Sequence, residues 1–326
     1  MVQQTTALIG IYTLTPLHMG TGQATGAVDL PVARESHTGF PVIPATGIKG
    51  KARDGFEEAV DKTLVKKLFG PDLDSGSQGE EAAAGGLIFT EAQLVALPLR
   101  SLNLPIAWCT SRLVLERLVR NLATFGCANL VDLKEILPNL ATDKVYVSRA
   151  MNDKVLVIED MTFMEEEVIS GREDVLALAG RLASLLPVPA AEDGTADRFR
   201  QSLVILPDQE FLRLCERGLP VQARIRLTKM KTNDNLWYEE TVPPDTLFAA
   251  FVINRPGSKE NMVSTFTDRA GKKDPDLTVV QLGGNETVGQ GWCWWQVRRA
   301  QAEQVKESLD LKEGGGAGRA TERSAG

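Results

Sequence analysis

The chain of 326 residues holds only two histidines and four cysteines. The cysteines, Cys109, Cys127, Cys215 and Cys293, stand far apart and make no CxxC pair. That spacing weighs against a zinc module and a disulfide framework, and separate thiols fit a reducing, cytoplasmic setting. Long hydrophobic runs are missing as well. No apolar stretch reaches the ~18 residues of a membrane span. The first twenty residues hold no basic segment followed by an apolar run, so neither a membrane segment nor a signal peptide is expected. Cationic excess is absent: Lys and Arg total 36 against 43 Asp and Glu, for a formal net charge of -7. That balance argues against non-specific duplex binding by bulk charge, although a local basic groove is not excluded. No Gly-Lys-Ser/Thr occurs, which excludes a Walker A loop.

What is present is globular. Hydrophobic residues make up 43% and charged residues 24%, enough for one large domain with insertions or two small domains sharing a core. Thr6–Thr15 reads as an opening strand and is followed by a Gly-rich loop from Pro16 to Pro44. Thr46 is placed to cap a single helix running to Phe69, which Gly70-Pro71 stops. Residues 72–86 are small and acidic, with the character of a mobile loop. GLIFTEAQLVAL reads as one strand, Trp108–Leu122 as a helix, KVYVSR and KVLVIED as a hairpin around Ala150–Asp153, and Val175–Leu186 as a helix. A second hairpin is expected from Gln222–Leu227 to Leu236–Glu240, with the polar tip TKMKTND. LTVVQLGG and WCWWQV read as strands flanking a glycine turn. Residues 312–326 form a low-complexity tail expected to be disordered, leaving 1–311 as a single domain. Strands and helices mix without βαβα alternation, so the expected fold class is α+β.

Chemistry concentrates in the loop. Gly20 and Gly22 begin a dinucleotide fingerprint, but Gly26 falls one residue late and the chain continues into Asp29-Leu30-Pro31, not into a helix. Both histidines, His18 and His37, lie in this loop with Asp29, Arg34 and Glu35, and loops carrying ionisable groups are where sites are built. The plainer alternative makes Asp29 a turn residue and the histidines surface groups. Lys49, Lys51 and Arg53 follow at the start of the helix. Cations there oppose the helix dipole unless an anion such as a phosphate backbone sits between them; the alternative is a solvated face. Arg224, Arg226, Lys229 and Lys231 make the second hairpin locally basic, and Met230 at its tip could wedge between stacked bases. Glu239 and Glu240 could supply a metal-facing carboxylate or a base, or could serve as edge-strand charges. Gly283 and Gly284 permit close backbone approach to a ligand. Trp292 and Trp294 share one strand face and read as core packing.

Taken together, the run HxGxGxxxGxxDLPxxREsHTGFPxIPxtgiKGxxR, from His18 to Arg53, resembles the first motif block of the helical-backbone subunit of type III-B CRISPR (Cmr) effector complexes, a member of the RAMP group. GGLIFTEAQLVALPLRSL with AWCTSRLVLERL, LWYEETVPPDTLF and QLGGNETVGQGW continue the resemblance in order, from about Thr6 to Trp295. The corresponding Csm subunit of type III-A systems shares the plan, but REsHTGFP and NETVGQGW favour the Cmr side. The resemblance implies a ferredoxin-like, RRM-related core with long insertions and a thumb-like hairpin at about 222–240. It implies stacking of copies along a guide CRISPR RNA beside other Cmr subunits, and metal-dependent cleavage of bound target RNA at regular intervals, with Mg²⁺ or another divalent ion. The family's loop aspartate falls on Asp29, also the expected metal holder, its histidine on His18, its helix-start lysine on Lys49, and its flanking acid on Glu239 or Glu240. The expected RNA contacts are Arg34, Lys49, Lys51, Arg53, Arg224, Arg226, Lys229, Met230, Lys231, Gly283 and Gly284. The tip lacks the Asp-x-x-Thr-Gly turn of the family. A non-catalytic guide-binding backbone and a stand-alone guide-processing ribonuclease relying on His18 are the competing readings.

Overall fold

The computed structural model describes residues 6–22, 26–57, 60–71, 84–133, 137–187, 190, 192–258, 260–270 and 278–300. The expected tail lies outside them, as does most of the acidic 72–86 segment. The β-branched run at the start forms β1 (Thr6–Thr13), every residue of it buried. Its odd positions Ala7, Ile9 and Ile11 enter one apolar cluster and its even positions Leu8 and Tyr12 another. A strand buried on both faces needs apolar residues at consecutive positions, which explains the unbroken run.

Chain order continues with β2 (Val42–Ile43), α1 (Ala45–Glu57), α2 (Lys62–Phe69), β3 (Leu87–Phe89), β4 (Ala92–Leu99), β5 (Ala107–Ser111) and α3 (Arg112–Thr124). Then come β6 (Val145–Val147), β7 (Val155–Ile158), β8 (Met161–Met164), β9 (Val168–Ser170), α4 (Glu173–Ala183), α5 (Thr195–Gln201), β10 (Leu203–Leu206) and α6 (Asp208–Arg217). The chain closes with β11 (Val221–Leu227), β12 (Asn233–Glu240), β13 (Leu247–Asn254), α7 (Met262–Ala270), β14 (Val279–Gln281) and β15 (Trp292–Arg299). Eleven strands make one mixed sheet in the order β14-β15-β1-β13-β4-β5-β10-β6-β9, with β2 added to β4 and β3 to β13. The fold is α+β. Within it β15, β1, β13 and β3 pair antiparallel, with α1 following β1 and α7 linking β13 toward β15. That order and connectivity follow the βαββαβ pattern. One face is covered by α1, α2, α6 and α7 through Phe56, Phe69, Phe211 and Phe266. The other is covered by α3, α4 and α5 through Leu118, Leu178 and Phe199. No helix among the described residues is long and apolar enough to cross a membrane.

Several elements differ from the sequence reading. The single helix from Thr46 is two: α1 begins at Ala45, and Asp61 starts α2 by accepting a hydrogen bond from Thr63 N at 3.1 Å. Asp61 is a genuine N-cap, whereas Thr46 lies inside the first turn of α1. Trp108 belongs to a strand, and the helix after it starts at the Ser111 cap. KVYVSR and KVLVIED do not pair: β6 lies in the large sheet, and β7 turns through Glu159, at φ 52, to pair with β8. GLIFTEAQLVAL is broken at Thr90, whose Oγ1 accepts from Phe251 N. The hairpin of β11 and β12 forms its own two-stranded sheet, off the main one. The tryptophans divide: Trp295 is core, Trp294 stacks on Tyr12 with ring centroids 6.0 Å apart, and Trp292 is exposed.

Candidate active site

The Gly-rich loop is pinned by backbone hydrogen bonds along its described residues. Leu17 and Val242 exchange both backbone hydrogen bonds, at 2.9 and 2.8 Å. Ala33 N donates to Met19 O at 2.6 Å and Val42 N to Ala33 O at 3.0 Å. Glu35 accepts both arms of Arg117, each at 2.7 Å, and Thr38 Oγ1 at 2.6 Å. Burial alone would raise the Glu35 carboxyl, but the Arg117 and Thr38 hydrogen bonds and the Arg117 and His37 charges hold it below the ordinary carboxylate range.

The central feature is β12. Residues paired with β11 alternate along it, so the even-numbered backbone groups face outward from the hairpin. The loop occupies that edge: Leu30 N donates to Tyr238 O at 3.1 Å and Glu240 N to Leu30 O at 3.0 Å. Of the four expected catalytic residues, Asp29 and His18 attach to the same three-residue stretch, which itself contains Glu239 and Glu240. Asp29 Oδ2 accepts from Tyr238 N at 2.8 Å. His18 lies 2.8 Å from Glu240 O through Nδ1; a carbonyl can only accept, so Nδ1 carries the proton and Nε2 is left as the basic nitrogen. The two anchors are two residues apart on one strand edge, roughly 7 Å at ~3.3 Å per residue. His18 is 8% exposed, and a Cβ on Gly20 would stand 2.7 Å from its Nε2, so residue 20 must be glycine for the loop to pass the ring.

Glu240 and Arg34 support this arrangement from beneath. Glu240 accepts from Val32 N at 3.0 Å and from Arg34 Nη2 at 2.5 Å. Arg34 Nη1 donates to Gly39 O and Cys215 O, both at 2.8 Å. Arg34 therefore faces protein, where the sequence reading gave it RNA. Glu239 is buried beside Arg224 Nη2, at 3.5 Å. Gly283, at φ 76, lies so close that a Cβ would be 2.3 Å from His18 O, and Gly284 N donates to that oxygen at 3.0 Å. The close approach expected of these glycines is thus to the site histidine. A Cβ on Gly47 would meet Met19 Cε at 2.9 Å, which brings the first turn of α1 against the same loop. Lys49 and Lys51 on α1 are half-buried. Arg53 donates to Glu57 at 2.6 Å and to Gly70 O and Pro71 O at 3.3 Å, so it ties α1 to the end of α2.

The hairpin projects its tip into solvent. Thr228 N donates to Thr232 O and Lys231 N to Thr228 O, both at 2.9 Å, with Lys231 at φ 60. Met230 is 87% exposed between exposed Lys229 and Lys231, and Arg226 pairs with Asp234 at 2.6 Å. Ile225, Leu236 and Tyr238 line one exposed face. Sequence reasoning missed Tyr238, Asn285 and Gln290. Their contacts run through a backbone N–H and between segments remote in the chain, which no local pattern records. Among the described residues no three of His, Cys, Asp and Glu gather to hold a metal. Asp29 offers a single carboxylate with one oxygen occupied.

Comparison with known proteins places this geometry in context. Residues 10–294 match the model of the RAMP superfamily. The CRISPR system Cmr endoribonuclease Cmr4 of Pyrococcus furiosus is 33% identical over 290 residues, 87% of this chain and 93% of that protein. The crystal structure of oligomeric Cmr4 from Pyrococcus furiosus superposes with a TM-score of 0.66 at 28% identity, covering 92% of this chain and 100% of that one. A chain of the type III-B Cmr-beta complex bound to cognate target RNA shares the fold, with a TM-score of 0.68 at 22% identity over 90% of this chain and 96% of that one.

Proposed function

The chain belongs to the RAMP superfamily, and from that membership we propose that it cuts RNA with His18 and Asp29 as a backbone subunit of a type III-B CRISPR effector. Copies stack along the guide CRISPR RNA beside other subunits of the complex, and each cleaves the complementary target RNA where its thumb interrupts the pairing. Sequence choice is left to base pairing, as in other RNA-guided systems. The observation that carries the reading is the shared anchor: Asp29 and His18 are both fixed on Tyr238–Glu240 at the foot of an exposed basic hairpin. A nucleotide displaced by that hairpin is delivered to the residues at its base.

RNA supplies its own nucleophile. Once a nucleotide is displaced, its 2′-OH can align with the adjacent phosphate for in-line attack. His18 Nε2 or the outer oxygen of Asp29 takes the 2′-hydroxyl proton as the 2′-O–P bond forms; the P–O5′ bond breaks, and the 5′-oxygen leaves with a proton from water, giving a 2′,3′-cyclic phosphate and a 5′-hydroxyl. Asp29 would be the residue to hold a divalent ion, through the oxygen that Tyr238 N leaves free, because Mg²⁺ accepts one or two carboxylates and completes its shell with water and substrate phosphate. Bound there, it would neutralise charge building on the phosphate.

The direct test is a reconstituted complex given labelled complementary RNA. A regular ladder of cuts, absent with non-complementary RNA, is expected. Binding without cuts would leave a purely structural backbone. Two companion outcomes are expected. Lys49→Ala should weaken guide binding for all sequences alike and lower its salt slope by roughly ~0.7 per lost phosphate contact; an unchanged slope would make Lys49 a solvated residue. Excising Lys229–Lys231 should leave a loaded complex whose cuts lose their regular spacing on a sequencing gel. An unaltered ladder would mean that this tip does not set the register.

A further inference from the structure

One cation of the thumb faces protein groups at the hairpin's base. Arg224 sits on β11 between residues that reach solvent, yet its guanidinium is turned to the thumb's foot, with a buried Nε that has no acceptor. Its Nη2 lies 3.5 Å from Glu239 Oε1. The same Nη2 donates to the Gln290 amide oxygen at 2.5 Å, and the Gln290 nitrogen donates to Glu239 at 3.1 Å, in the amide orientation that gives both atoms partners. Asn285 Nδ2 adds a bond to Glu239 at 2.5 Å. Glu239 is 3% exposed and Gln290 5%.

The four residues join three parts of the chain. Arg224 and Glu239 hold the two thumb strands together at their base. Asn285 and Gln290 lie within the glycine turn that runs from Gly283 to Gly291 after β14. That turn holds His18 from one side through Gly284 N, and the residues flanking Glu239 hold Asp29 and His18 from the other. A shift of the thumb relative to the turn would therefore move the two cleavage groups against each other.

We infer that Arg224 is a positioning residue for the cut and not a phosphate ligand: through Glu239, Asn285 and Gln290 it sets the one arrangement of thumb and turn in which His18 and Asp29 address the same RNA position. The inference rests on the reading that this site cleaves RNA. Arg224 places a single nitrogen, Nη2, against both Glu239 and Gln290 at the end of a planar, directed guanidinium; lysine carries its donors on a flexible stem without that plane, and methionine has no donor. Displacement of a reacting group by about 1 Å can cost ~10²-fold in rate.

The test is single-turnover cleavage by complexes carrying Arg224→Met, Glu239→Gln or both, with guide and target affinity measured across salt concentrations. Arg224→Met should slow the cut tenfold or more while affinity and its salt slope stay at the wild-type values. The double variant should be no slower than the slower single variant, since both break one network. Arg224→Lys should recover only part of the rate. A lowered salt slope with an unchanged rate of cutting once bound would overturn the inference and return Arg224 to the phosphate contacts. So would additive losses in the double variant. Should Arg224→Met fail to assemble, Asn285→Ala takes its place in the cycle, removing one hydrogen bond and no charge. Failure of the wild-type complex to cut would remove the proposed function itself, a result distinct from a cutting wild type with an indifferent Arg224.

Discussion

Asp29→Asn is expected to abolish cutting at every position of the target ladder while the complex still assembles, loads guide and binds target. The side-chain oxygen of asparagine can still accept from Tyr238 N, so the loop keeps its anchor on β12. Stability should change little, within the ~0.5 kcal/mol typical of surface substitutions. Guide binding should survive because removing a negative charge near phosphate cannot weaken attraction to it. Only the carboxylate chemistry is lost, and because each stacked copy supplies the same residue, all cuts disappear together. Chelation of divalent ions with EDTA should reproduce the defect if Asp29 works through a shared cation, and should leave cutting intact if it acts as the base alone. Gel analysis of labelled target checks both. Cutting at the wild-type rate by the Asn complex would remove Asp29 from the mechanism.

Glu240→Ala should do the opposite kind of damage. It leaves the Arg34 guanidinium half-enclosed with one partner gone and frees Val32 N from its acceptor. Breaking a buried ion pair from one side costs about 3–5 kcal/mol because the remaining charge is stranded. At this chain length that corresponds to a melting temperature lower by roughly 4–7 °C, readable by circular dichroism or calorimetry. Cutting should fall as a consequence, since the loop carrying Asp29 is laid against the same strand. Glu240→Gln should be milder, because an amide oxygen still accepts from Val32 N or Arg34. A Glu240→Ala protein with wild-type stability would mean that the Arg34 pair does not hold the loop.

The contrast between these residues shows what was legible in the sequence. Asp29, His18 and the thumb hairpin stood out because their signals are local: ionisable groups in a glycine loop, and two alternating runs around a polar tip. The α+β class followed from the mixed order of elements. The roles of Arg34, Arg53 and Arg224 did not follow. Each looked like a phosphate ligand by charge and spacing, and each is paired with protein groups whose partners lie 4 to 206 positions away. Charge along a chain cannot show whether a guanidinium faces water or a buried glutamate. The helix at Thr46 and the hairpin at Ala150–Asp153 were misread for a related reason. Asp61 caps a second helix and so divides the run, α1 begins at Ala45 ahead of Thr46, and β6 was drawn into the large sheet by β10 and β9. Tertiary pairing overrode the local preference in the second case. Gly20 and Gly283 were visible as glycines, but that they make room for His18 required the fold.

The most direct measurement places a single 2′-deoxynucleotide at one expected cut position of an otherwise all-ribose target and follows the whole ladder. If the displaced nucleotide's own hydroxyl is the nucleophile at the His18–Asp29 site, that one cut should vanish, its neighbours should persist, and the remaining products should carry 2′,3′-cyclic phosphate ends. Undiminished cutting at the deoxy position, leaving a 3′-hydroxyl, would contradict the account.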